Sequence, residues 1–479
     1  MNKPLRHVWL VVSVLFVLLF TSTTYFQVIA QERLNENPHN SRAIYNEYGR
    51  PRGPIVVDGS AIARSQESDD NYGYLRTYDP EPMYAPVTGY YSVVYGFTGI
   101  ERSLNDTLSG EADELFYERV SAVLSGREAT GAEVELTLDA EAQEAAWDAL
   151  DGRRGSVVAL DPETGAVLAM VSSPSFDPNQ LASHDQAAVA ESWTALNEDP
   201  DRPLTNRAIG GDLYPPGSAF KLVVAAAALE TGDYTAETEI PGPGTYELPN
   251  SSSVMTNHAA GGTEPCGPDD TSTLADALRQ SCNTSFAMLG IDIGEEQLHA
   301  TAEEFGFESS MEIPLSVTPS TMGQDLDDAQ LAQTSIGQYE TRVTPLQMAM
   351  VASATANDGV VMEPQLVQEV RTSDLSTIAE LTPQEAGQPL TASNAAQMRQ
   401  MMVGVVEDGT GTAAAIDGVE VGGKTGTAEW GEDRAPHAWY VGYAQQDDRK
   451  IAVAVVVEEG GYGSRTAAPI ARDVMEAVI

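Results

Sequence analysis

The sequence predicts a mixed α/β (α+β) domain whose sheet is built from both ends of the domain around a helical insert. A membrane anchor and a small extended N-terminal module precede it. Three observations predict this. An apolar stretch without a charged residue, Val8 to Ala30, opens the chain. Runs rich in β-branched residues lie near positions 156–172 and again near 439–457. The long interval between them carries helical runs.

The anchor comes first. Lys3 and Arg6 precede the 23 residues from Val8 to Ala30, enough to span roughly 30 Å of hydrocarbon as a helix. The basic flank places residues 1–7 in the cytoplasm and residues 31–479 outside, as a single-pass membrane protein. A cleaved signal peptide is the alternative, because Thr21-Ser22-Thr23-Thr24 softens the apolar run.

Residues 31–150 read as a polar module with short extended runs. Pro54-Ile55-Val56-Val57 is followed by the Asp58-Gly59 turn signal. Val134 to Leu138 alternates like a strand, and Ala140 to Leu150 reads as a helix with Asp139 as N-cap and Gly152 past its end. Residues 151–479 form the larger domain. Ser156 to Leu160, the turn Asp161 to Gly165, and Ala166 to Ser172 make a hairpin. Trp439 to Tyr443 and Ile451 to Val457 supply two more strands, and Ala467 to Ile479 a closing helix. Helices are expected over Phe220–Thr231, Thr273–Ser281 and Pro345–Asn357.

Composition excludes several functions. The formal charge is 26 − 71 = −45, and a polyanion of this strength repels nucleic acid. The acidic residues are spread along the whole chain, which reads as a surface solvated for salty or acidic surroundings. A basic partner is the alternative. Six histidines and two cysteines form no metal-ligand pattern, so neither a metal nor another cofactor is expected. Outside the cytoplasm, Cys266 and Cys282 are placed to form a disulfide. Its loop of about 15 residues would contribute roughly 3 kcal/mol. Two buried thiols are the alternative.

Only four lysines occur against 22 arginines. Two of the four close recognisable patterns. Tyr214-Pro215-Pro216-Gly217 is a rigid turn, followed by Ser218 and a helical run. Ser218 therefore sits at a helix start, where the dipole and free N–H groups favour negative charge. Lys221 lies one turn on, on the same face. A lysine can lose its proton when buried, which a guanidinium effectively cannot. Lys221 is thus a candidate base for a Ser218 nucleophile. Lys424-Thr425-Gly426-Thr427 follows Gly422-Gly423 on a strand whose glycines are expected to let a ligand approach the backbone. Ser281-Cys282-Asn283 supplies a third hydroxyl and an amide. Each element alone is weak. Together, in this order, they form the S-x-x-K, S-x-N and K-T-G set of acyl-transferring serine enzymes.

With this set in place, the chain resembles the class B penicillin-binding proteins, and within them the actinobacterial penicillin-binding protein A group. Arg52-Gly53-Pro54-Ile55 and Gly99-Ile100-Glu101 resemble the early motifs of that family. Val158 to Gly165, Ser173 to Asn179 and Asn206-Arg207-Ala208 resemble the first part of its transpeptidase domain. Pro265-Cys266-Gly267, Ser281-Cys282-Asn283-Thr284 and Pro436-His437-Ala438-Trp439-Tyr440 point to the A group. The resemblance implies a penicillin-binding transpeptidase fold like that of the serine β-lactamases. It also implies a peptidoglycan D,D-transpeptidase active in cell wall synthesis during growth and division.

In that reading Ser218 attacks the carbonyl between two terminal D-alanines of a stem peptide, and an amine of a neighbouring stem resolves the acyl-enzyme. Lys221 would be the base. Ser281 would relay a proton, and Asn283 would hold the substrate amide. Lys424 would raise the positive potential, and the Thr425 and Thr427 hydroxyls beside Gly426 would bind the terminal carboxylate. The N–H groups of Ser218 and Thr427 would form the oxyanion hole. β-Lactams would acylate Ser218 as covalent inhibitors. A multi-spanning membrane glycosyltransferase is the implied partner.

Three rivals stay on the table. A class A β-lactamase would need a glutamate after the S-x-N element, and Glu303-Glu304-Phe305-Gly306 does not fit. A D,D-carboxypeptidase differs only in using water as acceptor. A β-lactam sensor or division scaffold would not need the intact chemical residues.

Overall fold

Strands from the two ends of the domain meet in one five-stranded sheet. Its order is Glu420–Ala428, His437–Gln446, Arg449–Val457, Gly155–Leu160 and Val167–Ser173. All neighbouring pairs are antiparallel. The computed structural model describes residues 3–29, 48–80, 82–125, 130–257, 262–431 and 434–479. It divides into two compact units, residues 1–51 with 65–75 and residues 52–64 with 76–479.

The first unit contains the 22-residue helix Lys3–Thr24 and a π-helical turn, Tyr25–Ile29. At 1.5 Å per residue this helix is about 33 Å long, enough to cross a bilayer. Its apolar side chains, such as Trp9, Leu15 and Phe20, are exposed, as a membrane-facing helix requires. Ala30, the expected end of the anchor, lies outside the described residues.

In the second unit the central sheet is covered on both faces. Along Arg449–Val457, Ala452, Ala454 and Val456 join one core, whereas Ile451, Val453, Val455 and Val457 join the other. A strand buried on both faces needs no polar alternation, which is why its sequence reads as a continuous apolar run. The first core also takes Lys221–Thr231 and Pro345–Ala356, two helices buried nearly all round. A helix apolar on every side belongs in the interior. The second core is closed by Ala140–Leu150 and Ala467–Val478. Asp139 caps the former through its carboxylate and the Ala142 N–H, and Asp151 ends it in the left-handed conformation.

A second sheet builds the N-terminal module. Ile55–Val57 turns through Asp58 and Gly59, both at positive φ, and pairs with Ser60–Glu67. It pairs in parallel with Glu133–Leu136. Val367–Arg371 and Thr377–Glu380 extend this sheet from far along the chain. The module boundary expected near residue 150 therefore does not separate the hydrogen bonding of the two regions. Thr137 Oγ1 ties them further by donating to Val167 O and Gln365 O at 2.8 and 3.0 Å.

The two early motifs meet inside this module. Glu101 accepts from Arg52 Nε at 2.9 Å, Arg76 Nε at 2.6 Å and the Tyr78 hydroxyl at 3.2 Å. All three charged side chains are almost fully buried. Burial pushes the Glu101 carboxyl up, but Arg76 and Arg52 outweigh it and hold the group below its ordinary range.

Candidate active site

Three elements bring the chemical residues together. Ser218 lies in the 3-10 turn Gly217–Phe220 that leads directly into the helix Lys221–Thr231. Gly217 sits at φ +54°, and a Cβ there would stand 2.7 Å from Thr427 O. Gly426 is equally constrained, with a Cβ 2.8 Å from Pro216 O and 2.8 Å from Trp439 Cβ. These two glycines let the Ser218 turn press against the strand Glu420–Ala428. The Gly217 N–H donates to Gly337 O at 3.0 Å, and the Trp439 indole to Pro215 O at 3.0 Å, which fixes the turn from two further sides.

Ser281 ends the helix Leu274–Gln280 at φ +63°, a left-handed cap. Cys282 follows and is joined to Cys266 by a disulfide. Asn283 then starts the helix Asn283–Glu304. Asn257 Oδ1 accepts from the N–H groups of Asn283 and Thr284 at 2.9 and 3.1 Å. The S-x-N element is thus held at its helix end, at its disulfide and by a buried amide.

The two lysines converge on Ser281. Lys221 Nζ donates to Ser281 O at 2.8 Å and to Asn283 Oδ1 at 2.8 Å, with Ser281 Oγ at 3.4 Å. Lys424 Nζ donates to Ser281 Oγ at 2.8 Å and to Thr425 O at 2.9 Å. Both lysines are fully buried. Burial brings the Lys424 ammonium down to about 7. Lys221 is pushed well below the lysine range by burial and then by the Lys424 charge. Burial lowers both amines and the Lys424 charge lowers Lys221 further, so Lys221 is the more readily deprotonated of the two. The two N–H groups of that amine match its two short bonds, so its lone pair is free to take a proton.

The remaining predicted residues are placed as follows. The Thr425 hydroxyl donates to Thr410 Oγ1 at 2.7 Å. Thr427 is half-buried beside the Ser218 turn. Gly422 and Gly423 differ from expectation. A Cβ on Gly422 would lie 2.4 Å from the Tyr443 ring, and one on Gly423 would lie 2.1 Å from the Tyr440 hydroxyl. These glycines seat tyrosine rings packed across the strand and offer no approach to a ligand. Sequence reasoning also missed Asn257, Thr410 and Gly337. None lies in a motif, and each acts through a contact distant in sequence.

A cleft of about 480 Å³ opens where the strand Glu420–Ala428 leaves the sheet. Tyr214, Pro215, Gln338, Arg342, Trp430 and His437 are among its walls. Behind it, Glu458 Oε1 accepts from the Tyr214 hydroxyl and from Arg207 Nε, both at 2.8 Å. His437 Nδ1 accepts from the Glu459 N–H at 3.1 Å, so its ring proton sits on Nε2 when neutral.

Residues 155–476 match the penicillin binding protein transpeptidase domain. The chain belongs to the penicillin-binding protein transpeptidase family. Residues 52–134 match the penicillin binding protein A dimerisation domain. The chain is 43% identical to the peptidoglycan D,D-transpeptidase PbpA of Mycolicibacterium smegmatis, over 100% of this chain and 99% of that protein. It is 40% identical to PbpA of Mycobacterium tuberculosis over the same shares. Its structure is similar to the penicillin G acyl-enzyme complex of penicillin-binding protein A from M. tuberculosis. The TM-score is 0.85 at 40% identity, covering 89% of this chain and 99% of that one. A D,D-transpeptidase domain from Eggerthella lenta matches with a TM-score of 0.77 at 36% identity, covering 90% and 98%. The fold expected from the sequence is the fold of this family.

Proposed function

We propose that this peptidoglycan D,D-transpeptidase cross-links stem peptides through an ester on Ser218, with Lys221 as base and Lys424 as electrostatic clamp. The observation that carries the assignment is the lysine pair. One amine is held by Ser281 O and Asn283 Oδ1 with its lone pair free, and a second cation lies on the other side of Ser281 Oγ.

Ser218 Oγ attacks the carbonyl carbon between the two terminal D-alanines, and its proton passes to Lys221 Nζ. The oxyanion is held by the N–H groups of Ser218 and Thr427. One such donor contributes about 3–4 kcal/mol in comparable sites. The C–N bond breaks, and D-alanine leaves as an amine after a proton crosses from Lys221 through the Ser281 hydroxyl. An amine of a second stem then attacks the ester carbon. The new C–N bond forms, the bond to Oγ breaks, and the amine's proton returns to Ser218.

Asn283 acts on the base in this scheme, because its Oδ1 is already engaged by Lys221. Its Nδ2 donates to Thr256 O at 3.1 Å and retains a second N–H for the substrate amide. β-Lactams take the place of the donor and acylate Ser218. Residues 8–30 anchor the protein with residues 1–7 in the cytoplasm. Residues 31–150 serve as a pedestal, and a multi-spanning membrane glycosyltransferase supplies the glycan strands.

Fluorescent penicillin tests the nucleophile. Wild type should label and retain the label, whereas Ser218→Ala should not label. Labelling that survives the substitution would remove Ser218 from this role.

A further inference from the structure

We infer that a second cleft, where the N-terminal module meets the transpeptidase domain, binds an acetamido sugar of the glycan strand. This site is separate from the acyl transfer at Ser218 and does not depend on the roles given to Ser218 and Lys221.

The cleft holds about 490 Å³, within the range of about 300–1,000 Å³ for small-ligand sites. Residues 85–99 supply one wall, and Phe176, Trp193, Ile209 and Leu315 belong to the other. Hydrogen bonds tie the two walls together. Asn206 Nδ2 donates to Pro86 O at 2.9 Å, and Ser175 Oγ to Pro82 O at 2.9 Å. Asn179 exchanges two 2.9 Å bonds with the backbone of Tyr78. The cleft is thus built between surfaces that are bonded to each other.

Charge sets the first constraint. Charged residues make up 20% of the chain, yet none lines this cleft. A charged ligand would find no counter-ion here, and burying an unpaired charge is costly. The ligand is therefore neutral.

Unpartnered donors set the second. Tyr90 is 4% exposed where it lines the cleft. Its backbone N–H donates to Thr98 Oγ1 at 3.3 Å, but its hydroxyl has no hydrogen-bond partner among the described residues. A phenol this buried usually has one. Trp193 is stacked on Tyr95 at 4.4 Å. It contributes a donor, because its indole N–H has no partner among the described residues either. Asn197 and Ser316 are exposed polar groups of the same cleft.

Donors on an apolar floor call for a neutral acceptor that carries a small apolar group. An acetamide is such a group. Its carbonyl accepts from Tyr90 and Trp193, and its methyl packs against Ile209 and Leu315. The ring hydroxyls then meet Asn197 and Ser316. Peptidoglycan carries an acetamide on each sugar, and its muramic carboxyls are joined to stem peptides, so the strand itself is neutral. Residues 202–214 link this cleft to the one lined by Tyr214 and Pro215. Asn206 and Ile209 line the first, Arg202 and Tyr214 the second. A glycan held in one cleft leaves its stems free to enter the other.

The test is calorimetric titration of the full-length protein, in a detergent without sugar head groups, with three trisaccharides. They are tri-N-acetylchitotriose, its de-N-acetylated form and cellotriose. One hydrogen bond is worth about two- to tenfold in affinity. Wild type should therefore bind the acetylated trimer at least about tenfold more tightly than the other two. Tyr90→Phe, which removes only the hydroxyl, should weaken that binding by about two- to tenfold. Ser316→Trp, which fills the cleft, should abolish it. Equal affinities for the three sugars would overturn the inference, as would unchanged affinity in Tyr90→Phe or in Ser316→Trp. Fluorescent penicillin separates this reading from the one beneath it. Wild type that labels but binds no trimer refutes the sugar site and leaves the Ser218 mechanism. Wild type that binds the trimer through Tyr90 but does not label refutes that mechanism and leaves the sugar site.

Discussion

Replacing Lys221 by arginine fixes a positive charge at that position and removes a base. The structure makes these two roles separable. Lys221 is fully buried, close to a second buried cation, and bonded to two carbonyl oxygens at 2.8 Å. Burial and the Lys424 charge both favour its neutral form. A guanidinium is effectively always protonated at pH 7 and offers almost no neutral form to act as a base. Losing a positioned general base costs about 10²–10⁴ in rate, or about 3–5.5 kcal/mol of barrier. Lys221→Arg should therefore lower the second-order rate of penicillin acylation by at least about a hundredfold. Lys221→Met, which packs near Phe286 without adding a charge, should lose as much and guards against a folding artefact. Stopped-flow acylation of the folded variants is the assay. If Lys221→Arg stays within about tenfold of wild type while Lys221→Met does not, Lys221 serves as a charge and the base assignment is wrong.

Four further outcomes follow from the same geometry. Gly426→Ala puts a methyl 2.8 Å from Pro216 O, so it should cost about 1–3 kcal/mol of stability and slow acylation. Unchanged acylation would show that the strand and the nucleophile's turn can shift freely. Glu101→Gln leaves two buried arginines without their anion and should lower stability by about 3–5 kcal/mol in urea unfolding; no change would mean that other groups neutralise them. The Lys424 ammonium loses its proton as pH rises through about 7. Acylation should therefore fall on the alkaline side of that value, and a rate still climbing at pH 9 would contradict a cationic clamp. Thiol titration of the unreduced, denatured protein should find none, because Cys266 and Cys282 are joined, and reduction should destabilise the domain by about 2–4 kcal/mol.

The sequence by itself determined the order of elements and the family, and it singled out the residues proposed for the site. Apolar runs bounded by turn residues marked the strands of the central sheet, since strands buried on both faces need uninterrupted Val, Ile and Ala. Scarce lysines marked Lys221 and Lys424, because a guanidinium matches neither an amine able to lose its proton nor a compact point charge. Tertiary structure alone decided how these groups relate. It put both lysines on Ser281, engaged Asn283 with Lys221, and brought Asn257 and Thr410 beside the S-x-N and K-T-G elements from positions without a motif. It reassigned Gly422 and Gly423 from ligand approach to ring packing. It also drew Val367–Arg371 and Thr377–Glu380 into the N-terminal sheet. Local pattern reports which face a residue turns inward. It does not report which distant partner that face meets, and protonation, burial and cleft chemistry depend on the partner.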